Sequence, residues 1–245
     1  MQSKVYIYGK HAVRGALEGA PRIIRKVHLS SKMDDKTLRD LIYHSGVEVV
    51  PLDERQATSQ VEGGAAHQGI IALISLAHLV VPFEKFMDTF SPTTDTCLVL
   101  LSEIKDPQNV GAIIRSATAF GATAVLMPAH KQSPVTGAAI KASAGTAFSI
   151  PIVELPNLQQ ALAQFKKKGV EVYGLEASAK RSIQNEAFAA PTMLVLGNEA
   201  TGIAPAAKAL CDHTLSIPLS PDVESLNVGV SGAVALYAWS LKHPR

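Results

Sequence analysis

The chain has 245 residues, of which 47% are hydrophobic and 18% charged, enough apolar material for one large core or two smaller ones. No apolar run reaches the roughly 18 residues that span a bilayer, and the polar start MQSKVYIYGKHAV excludes a signal peptide, so we expect a cytoplasmic protein without a membrane partner. The net charge of +2 is weak evidence for a nucleic-acid partner. Cys97 and Cys211 lie in apolar runs, which favours buried free thiols and implies no metal site.

The first 75 residues alternate short helical and strand patterns. Apolar periodicity predicts helices near residues 11–18 and 36–44, and strands near 26–29, 48–51 and 69–75. These elements predict a small α/β domain at residues 1–75.

Basic residues are concentrated in this domain. Residues 10–32 contain a single acid, Glu18, beside Lys10, Arg14, Arg22, Arg25, Lys26 and Lys32. Such a cluster suits a surface that meets phosphates, and we take Arg14, Arg22, Arg25 and Lys26 as candidate RNA contacts. A solvated helix-and-loop face would explain the same composition.

A linker is predicted at residues 76–96, where prolines and the polar run SPTTDT flank a short amphipathic piece, FEKFMDTF. The remainder, residues 97–245, is regular, with apolar runs separated by helical segments. The runs are CLVLL, TAVLM, SIPIV, VEVYGL, TMLVL and TLSIPL. This alternation predicts an α/β domain with a mostly parallel sheet, whose ligands bind at the carboxyl ends of the strands.

Several common sites are excluded by motif. No GxGxxG, P-loop, HExxH or CxxC occurs, so the usual nucleotide-binding and metal sites lose support. A standard Rossmann methyltransferase would carry a glycine-rich turn after its first strand, whereas CLVLL continues into SEIKDPQN.

The first loop of interest is DPQNVGAIIRSATAFG. Asp106 and Pro107 end the strand, and Asn109 is placed to cap a helix. The apolar stripe of that helix consists of Val110, Ile113, Ile114 and Ala117. Arg115 lies off the stripe, as either a surface arginine or a catalytic residue.

Two further loops follow buried strands. In LVLGNEATGI, Gly197 and Gly202 bracket a turn that carries Asn198 and Glu199 into the expected site, although a plain strand-to-helix turn would explain the glycines equally well. In IPLSPDVESLNVGVSGAVALYAW, Ser225 and Asn227 precede a helix rich in small residues, and either of them could act only as an N-cap.

Together and in this order, the three loops resemble the three motifs of the SpoU/TrmH RNA 2′-O-ribose methyltransferases. The matching residues are Asn109, Gly111 and Arg115, then Gly197, Glu199 and Gly202, then Ile217, Pro218, Ser225, Leu226 and Asn227. The resemblance covers residues 97–242. The stretch AHQGI, residues 66–70, resembles the end of the small α/β domain that precedes the catalytic domain in the ribosomal RNA members of the family. One departure is Ser102, which displaces the usual acid by one position to Glu103.

The resemblance implies a parallel sheet with a C-terminal trefoil knot, and S-adenosylmethionine as the cofactor. It implies that the cofactor is held by Gly197, Ile217, Leu219 and Leu226, with Leu175 and Glu176 as a further wall. It also implies a central catalytic role for Arg115, with Asn109, Glu199, Ser225 and Asn227 orienting it, the ribose and the loop. A guanidinium is a poor base, so positioning and charge stabilisation are the favoured role of Arg115. A homodimer with shared sites is implied too.

The small α/β domain at residues 1–75 favours ribosomal RNA as the substrate, specifically a guanosine of the large-subunit RNA. We expect no DNA partner. Transfer RNA, or ribosomal RNA modified for antibiotic resistance, is the alternative substrate. A non-catalytic RNA-binding or ribosome-assembly protein with the same fold is the other alternative, because fold does not determine function.

Overall fold

The computed structural model describes residues 4–53, 66–76 and 79–244. The N-terminal domain contains β1 (Lys4–Tyr8), α1 (Lys10–Gly19), β2 (Ile24–Leu29), α2 (Lys36–His44), β3 (Val49–Pro51) and β4 (Ile70–Ser75). The sheet order is β1-β4-β2-β3, antiparallel except for the parallel pair β2 and β3. Both helices and all three strands predicted from periodicity are present, and the sheet gains β1.

Local chemistry explains where α2 begins. The Asp35 carboxylate accepts a hydrogen bond from the Leu38 amide at 2.9 Å, which satisfies one of the free N–H groups of the first turn. Leu38 and Ile42 are fully buried on the inner face of α2, and α1 packs against β1, β4 and α2. One helical layer therefore covers one face of this sheet.

Part of the predicted linker belongs to the packing of the second sheet. Residues 80–89 form β5 (Val80–Pro82) and α3 (Phe83–Thr89), and β5 pairs parallel to a strand of the large sheet. The Phe83, Phe86 and Phe90 rings lie 5.3 to 6.4 Å from the Phe165 ring. Most of FEKFMDTF is thus a helix, and burial of Phe83 and Phe90 attaches this segment to the large sheet.

Besides β5, the second sheet contains β6 (Cys97–Ser102), β7 (Ala124–Pro128), β8 (Ile152–Leu155), β9 (Glu171–Leu175), β10 (Arg181–Ser182), β11 (Thr192–Gly197) and β12 (His213–Ser216). These eight strands are parallel and lie in the order β10-β12-β9-β11-β6-β7-β8-β5. The helices are α4 (Pro107–Ala119), α5 (Gly137–Ala142), α6 (Leu158–Lys167), α7 (Pro205–Lys208) and α8 (Val228–Ser240). The predicted α/β class and its six strands are confirmed, while the knot stays a prediction.

Close packing of α4 and α8 positions the site. The predicted apolar stripe of α4 is fully buried. Gly229 of α8 leaves room for the methyl group of Ala112 on α4, because a Cβ at Gly229 would lie only 3.2 Å from it. A Cβ at Gly232 would lie 2.8 Å from the Leu196 side chain on β11. Small residues in α8 therefore bring both helices close to the strand that ends in the second motif.

The cysteines are both free thiols. Cys97 is fully buried, whereas Cys211 is only partly buried, and burial raises the pKa of the Cys211 thiol to about 11. Over the described ranges, no three His, Cys, Asp or Glu side chains come together as metal ligands. The longest helices of those ranges, α4 and α8, have 13 residues each and are too short to cross a membrane.

Candidate active site

A cavity of about 620 Å³ opens at the carboxyl ends of β9, β11 and β12. These three strands are neighbours with β6 in the sheet, so the loops after them meet at one edge. The cavity is lined by residues 175–178, by 196–200 with Gly202, and by 215–231 in part. Its size is that of a pocket for a molecule such as a nucleoside cofactor.

Every residue predicted to bind the cofactor lines this cavity: Leu175, Glu176, Gly197, Ile217, Leu219 and Leu226. Leucine and isoleucine side chains form the wall that an adenine ring requires, and the carboxylates of Glu176 and Glu224 lie in the same lining, where they suit a cationic ligand. Apolar walls with a few carboxylates match a nucleoside that carries a sulfonium and an ammonium group, so the lining fits S-adenosylmethionine.

Gly197 is required by a backbone contact. A Cβ at this position would lie 2.3 Å from both the Gly202 carbonyl carbon and the Ile203 nitrogen. The chain folds back here because Asn198 and Gly202 exchange backbone hydrogen bonds of 2.8 and 2.9 Å, and Gly202 has φ of +71°. The second motif is therefore a tight turn that requires glycine at 197 and favours it at 202, and it carries Glu199 into the lining.

The three motifs are joined by one hydrogen-bonded network. The Asn109 Nδ2 donates to the Glu199 Oε1 at 2.7 Å, and the Asn227 Nδ2 donates to the Asn109 Oδ1 at 3.0 Å. Asn109 is buried, and its amide uses one donor and its acceptor to connect the second motif to the third. The network fixes which way each amide faces.

Asn227 also caps the last helix. Its Oδ1 accepts from the Gly229 amide at 2.8 Å and from the Val230 amide at 3.3 Å. The capping role and the network role were alternatives at the level of sequence, and the structure assigns both to Asn227. The position of the third motif is thus linked to the start of α8.

The predicted capping role of Asn109 is wrong. Asp106 caps α4 by accepting from the Gln108 amide at 2.8 Å, and Pro107 occupies the first helical position. Asn109 is the third residue of α4, and its side chain is turned toward Glu199. Both residue types cap helices well, so only the observed hydrogen bonds distinguish them.

The other predicted catalytic residues differ in location. Ser225 lines the cavity and is exposed. Arg115 is exposed on α4, does not line the cavity, and has no side-chain hydrogen bond or ion pair with the described residues. The single chain therefore brings Glu199, Ser225 and Asn227 to the cavity lining. Asn109 is hydrogen-bonded behind Glu199 and Asn227, and Arg115 lies outside the lining.

The displaced acid of the first motif is outside the cavity lining. Glu103 has φ of +64°, its carbonyl accepts from the Asn198 Nδ2 at 2.9 Å, and its carboxylate lies 4.0 Å from the Lys131 ammonium. The Ser102 Oγ accepts from the Ala204 amide at 3.3 Å. Both residues hold the turn that follows Gly197 by these hydrogen bonds. The shift of the acid from position 102 to position 103 therefore changes the contacts that hold this turn.

Asn198 lines the cavity, as its place in the second loop predicted, whereas Ser178, Glu224 and Ser231 line it without having been predicted. Glu224 stands beside the predicted Ser225, and its position in the same loop was the available signal. Ser178 follows β9, a strand whose loop has no recognisable motif. Glu176 is held by the Lys208 ammonium of α7 at 2.8 Å, a contact between elements that the sequence could not indicate.

The basic cluster of the N-terminal domain is partly neutralised. Arg14 pairs with Asp35 at 3.0 Å, Lys26 pairs with Glu48 at 2.7 Å, and Lys10 pairs with Asp34. Arg22 and Arg25 are exposed and have no ion pair with any described carboxylate. These two arginines are the free cations among the four candidates for RNA contact.

Two family models match this architecture in chain order. The model described as RNA 2'-O ribose methyltransferase substrate binding matches residues 6–79, and the model described as SpoU rRNA Methylase family matches residues 96–237. The chain belongs to the SpoU rRNA methylase family. The predicted family and enzyme class are confirmed, and the hydrogen-bonded network joins all three motifs of the chain.

The following relatives match nearly the whole length of this chain. The 23S rRNA (guanosine-2'-O-)-methyltransferase RlmB of Coxiella burnetii is 33% identical and covers 94% of this chain and 93% of the relative. RlmB of Escherichia coli is 31% identical, over 94% and 96%. The SpoU methyltransferase AviRb of Streptomyces viridochromogenes, solved with the cofactor AdoMet, shares the fold with a TM-score of 0.84 at 22% identity, over 98% of this chain and 91% of that one.

Proposed function

We propose that the protein transfers a methyl group from S-adenosylmethionine to the ribose 2′-hydroxyl of a guanosine in large-subunit ribosomal RNA, in the cytoplasm. The observation that carries this proposal is the Glu199–Asn109–Asn227 network at the edge of a cavity of cofactor size, in a chain of this family. Similarity to RlmB over 94% of the chain supports the choice of substrate.

The cavity supplies binding and orientation. Ile217, Leu219 and Leu226 would hold the adenine side of the cofactor, and Glu176 would lie toward a cationic group. When bound, S-adenosylmethionine supplies a methyl group on a positively charged sulfur. The task of the protein is to hold the ribose oxygen in line with that methyl and to exclude competing orientations.

Fixed polar groups would receive the ribose. Asn109 holds one oxygen of Glu199, which leaves the other oxygen free to accept a hydrogen bond from the hydroxyl. Ser225 lies in the same lining and would orient the sugar or the loop. Because the network is complete without substrate, little reorganisation is required when RNA binds.

Arg115 would act on the RNA from outside the single-chain cavity. It is permanently charged and exposed, and it lies on α4 six residues after Asn109, about 9 Å farther along the helix axis. A guanidinium there suits the phosphate next to the reacting ribose, or the developing charge on the hydroxyl oxygen. An exposed position also suits a site completed by a second subunit.

We expect a homodimer formed through α8. Val230, Tyr237 and Leu241 are 49%, 52% and 61% exposed, and with the half-buried Val234 they form one apolar stripe at helical spacing. The stripe continues onto α4, because the Phe120 and Tyr237 rings are 5.8 Å apart. An exposed apolar stripe of this length favours a protein contact, and a second copy would place its α4 and Arg115 beside the site.

We predict that Tyr237→Asp converts the dimer to a monomer and lowers turnover, because a buried carboxylate is costly in an apolar interface. Light scattering at several concentrations measures the change. Tyr43→Asp is the matched control, since Tyr43 is 62% exposed on α2, away from this stripe. A wild-type protein that is monomeric at every concentration would contradict the proposed dimer.

The N-terminal domain would bind the RNA through its free cations. We predict that Arg22→Glu with Arg25→Glu weakens RNA binding about tenfold at moderate salt and reduces the dependence of affinity on salt, because two phosphate contacts are lost. Lys85→Glu with Lys167→Glu is the control, because it makes the same change in net charge at exposed residues of α3 and α6. Equal affinities for the two double variants would refute a role of Arg22 and Arg25.

Labelled S-adenosylmethionine and unmodified RNA test the function directly. The protein is incubated with large-subunit ribosomal RNA, small-subunit ribosomal RNA and transfer RNA, and the digested products are examined for 2′-O-methylguanosine. Methylation of large-subunit RNA alone is expected. Methylation of transfer RNA would establish the alternative substrate, and binding of RNA and cofactor without transfer to free RNA or to assembling particles would favour a binding protein.

A further inference from the structure

The N-terminal and catalytic domains touch through glycine backbones. A Cβ at Gly15 of α1 would lie 2.6 Å from the Gly145 carbonyl oxygen and 2.9 Å from its Cα. Gly145, just after α5, has φ of +86°, and a Cβ there would lie 2.5 Å from the His11 carbonyl oxygen. No other residue fits at either position without separating the two backbones.

Two more glycines make similar contacts at other points. A Cβ at Gly19 would lie 2.6 Å from the Phe148 carbonyl oxygen, and a Cβ at Gly137 would lie 2.3 Å from the Tyr6 carbonyl oxygen. Gly137 meets β1, whereas the other contacts involve α1, so the contact points are spread over two elements of the domain. Contacts at separate points restrict rotation as well as translation.

Side chains strengthen the same contact. The Lys141 Nζ of α5 donates to the Ala66 carbonyl at 2.9 Å and lies 4.9 Å from the centre of the Tyr8 ring, within cation–π distance. Ala16, Ile140 and Phe148 belong to one continuous cluster of buried side chains that extends across both domains. The domains therefore share a core, although residues 77–78 between them are not described.

The composition of α1 agrees with this interpretation. Glycine inside a helix is less favourable than alanine, and α1 carries Gly15 and Gly19 four residues apart on one face. A helix that did not touch another backbone would gain stability from alanine at Gly15. The close approach to Gly145 gives a physical reason for the unfavourable residue.

The contact continues toward the active site. A Cβ at Gly111 of α4 would lie 2.3 Å from the Ala139 carbonyl oxygen of α5, so these two helices also touch by their backbones. Gly111 stands two residues after Asn109, the centre of the polar network. One series of close contacts thus runs from α1 through α5 to α4 and Asn109.

We propose that Gly15, Gly19, Gly137 and Gly145 form a glycine seam that holds the RNA-binding domain at one fixed distance and orientation from the methyl-transfer cavity. The seam residues are positioning residues: an RNA held at Arg22 and Arg25 presents only the ribose at the matching distance to Asn109 and Glu199. This consequence for substrate choice rests on the proposed function, whereas the rigid seam itself does not.

Thermal unfolding of Gly15→Ala tests the seam without any RNA. In a helix that is free of the catalytic domain, the substitution would raise Tm by about 2 °C, because alanine is the better helix former. Across the seam, the new methyl group meets the Gly145 backbone, and Tm is expected to fall by about 5 °C. A rise in Tm would overturn the seam.

One control variant and one replacement variant accompany this measurement. Glu18→Ala on the exposed face of the same helix is expected to leave Tm within about 1 °C of the wild type. Lys141→Met removes one hydrogen bond and the cation–π contact at the surface, and serves if Gly15→Ala does not fold. Both are measured as the full chain.

Kinetics on large-subunit RNA test the positioning role. For Gly15→Ala, the dissociation constant of S-adenosylmethionine is expected to be unchanged, since the cavity contains no seam residue, while kcat/KM for RNA falls about tenfold and methylation spreads to neighbouring nucleotides. If Gly15→Ala has a lower Tm but keeps the wild-type kcat/KM and still modifies one nucleotide, the positioning role is overturned. If the wild type methylates no RNA, the proposed function fails, and the change in Tm still decides the seam.

Discussion

Arg115→Ala is expected to lower kcat for RNA methylation about 100-fold or more while Tm remains within about 1 °C of the wild-type value. The guanidinium is exposed and has no partner among the described residues, so its removal leaves no unpaired buried group. The proposed stabilisation of charge in the transition state is of the size that one oxyanion donor provides, about 10² to 10³ in rate.

Two measurements separate chemistry from folding for this residue. Arg115→Lys retains the positive charge but loses the planar pair of donors, so we expect partial activity if charge dominates and almost none if paired hydrogen bonds dominate. Affinity for S-adenosylmethionine should stay unchanged, because Arg115 does not line the cavity. Near-normal turnover of Arg115→Ala would reject a catalytic role.

Asn109→Asp is expected to lower turnover about 100-fold at neutral pH with almost no change in side-chain volume. The substitution preserves the acceptor that receives the Asn227 amide but replaces the donor that holds Glu199, at an N–O distance of 2.7 Å, by a second carboxylate. Two carboxylates at this distance repel each other, and the pair binds a proton with a raised pKa. Glu199 would then leave its position in the lining.

The pH profile of the variant identifies the cause. Below the raised pKa of the pair, a shared proton restores a hydrogen bond between the two side chains, so activity relative to wild type is expected to rise as the pH falls. Asn157→Asp is the matched control, because Asn157 caps α6 by accepting from the Gln160 amide at 3.0 Å, a role that aspartate performs equally well. If relative activity is independent of pH, the network explanation is wrong.

Much of the fold could be predicted from local pattern. Strand runs such as CLVLL and TMLVL have the near-continuous apolar sequence of strands buried on both faces, and they become the central strands β6 and β11. The two missed strands of the large sheet, Val80–Pro82 and Arg181–Ser182, have three and two residues, too few for any periodicity. They are strands because longer neighbours offer free edges.

The candidate site could be predicted in part. The motif residues Gly197, Ile217, Leu219 and Leu226 do line one cavity, since parallel strands end at a common edge. The roles of Asn109 and Asp106 could not be assigned, because both residue types cap helices and only the neighbours in space distinguish them. For the same reason, nothing in the sequence indicates the ion pair between Glu176 and Lys208.

Local patterns in the chain were therefore enough to predict the α/β class, the order of elements and the loops that carry chemistry, because apolar periodicity and turn residues act over a few neighbouring positions. Which side chains meet became visible in the fold alone: the Asn109 amide between Glu199 and Asn227, the position of Arg115 outside the cavity, and the contact of Gly15 with Gly145. These contacts join residues between 90 and 130 positions apart, and their geometry depends on how whole helices and sheets pack.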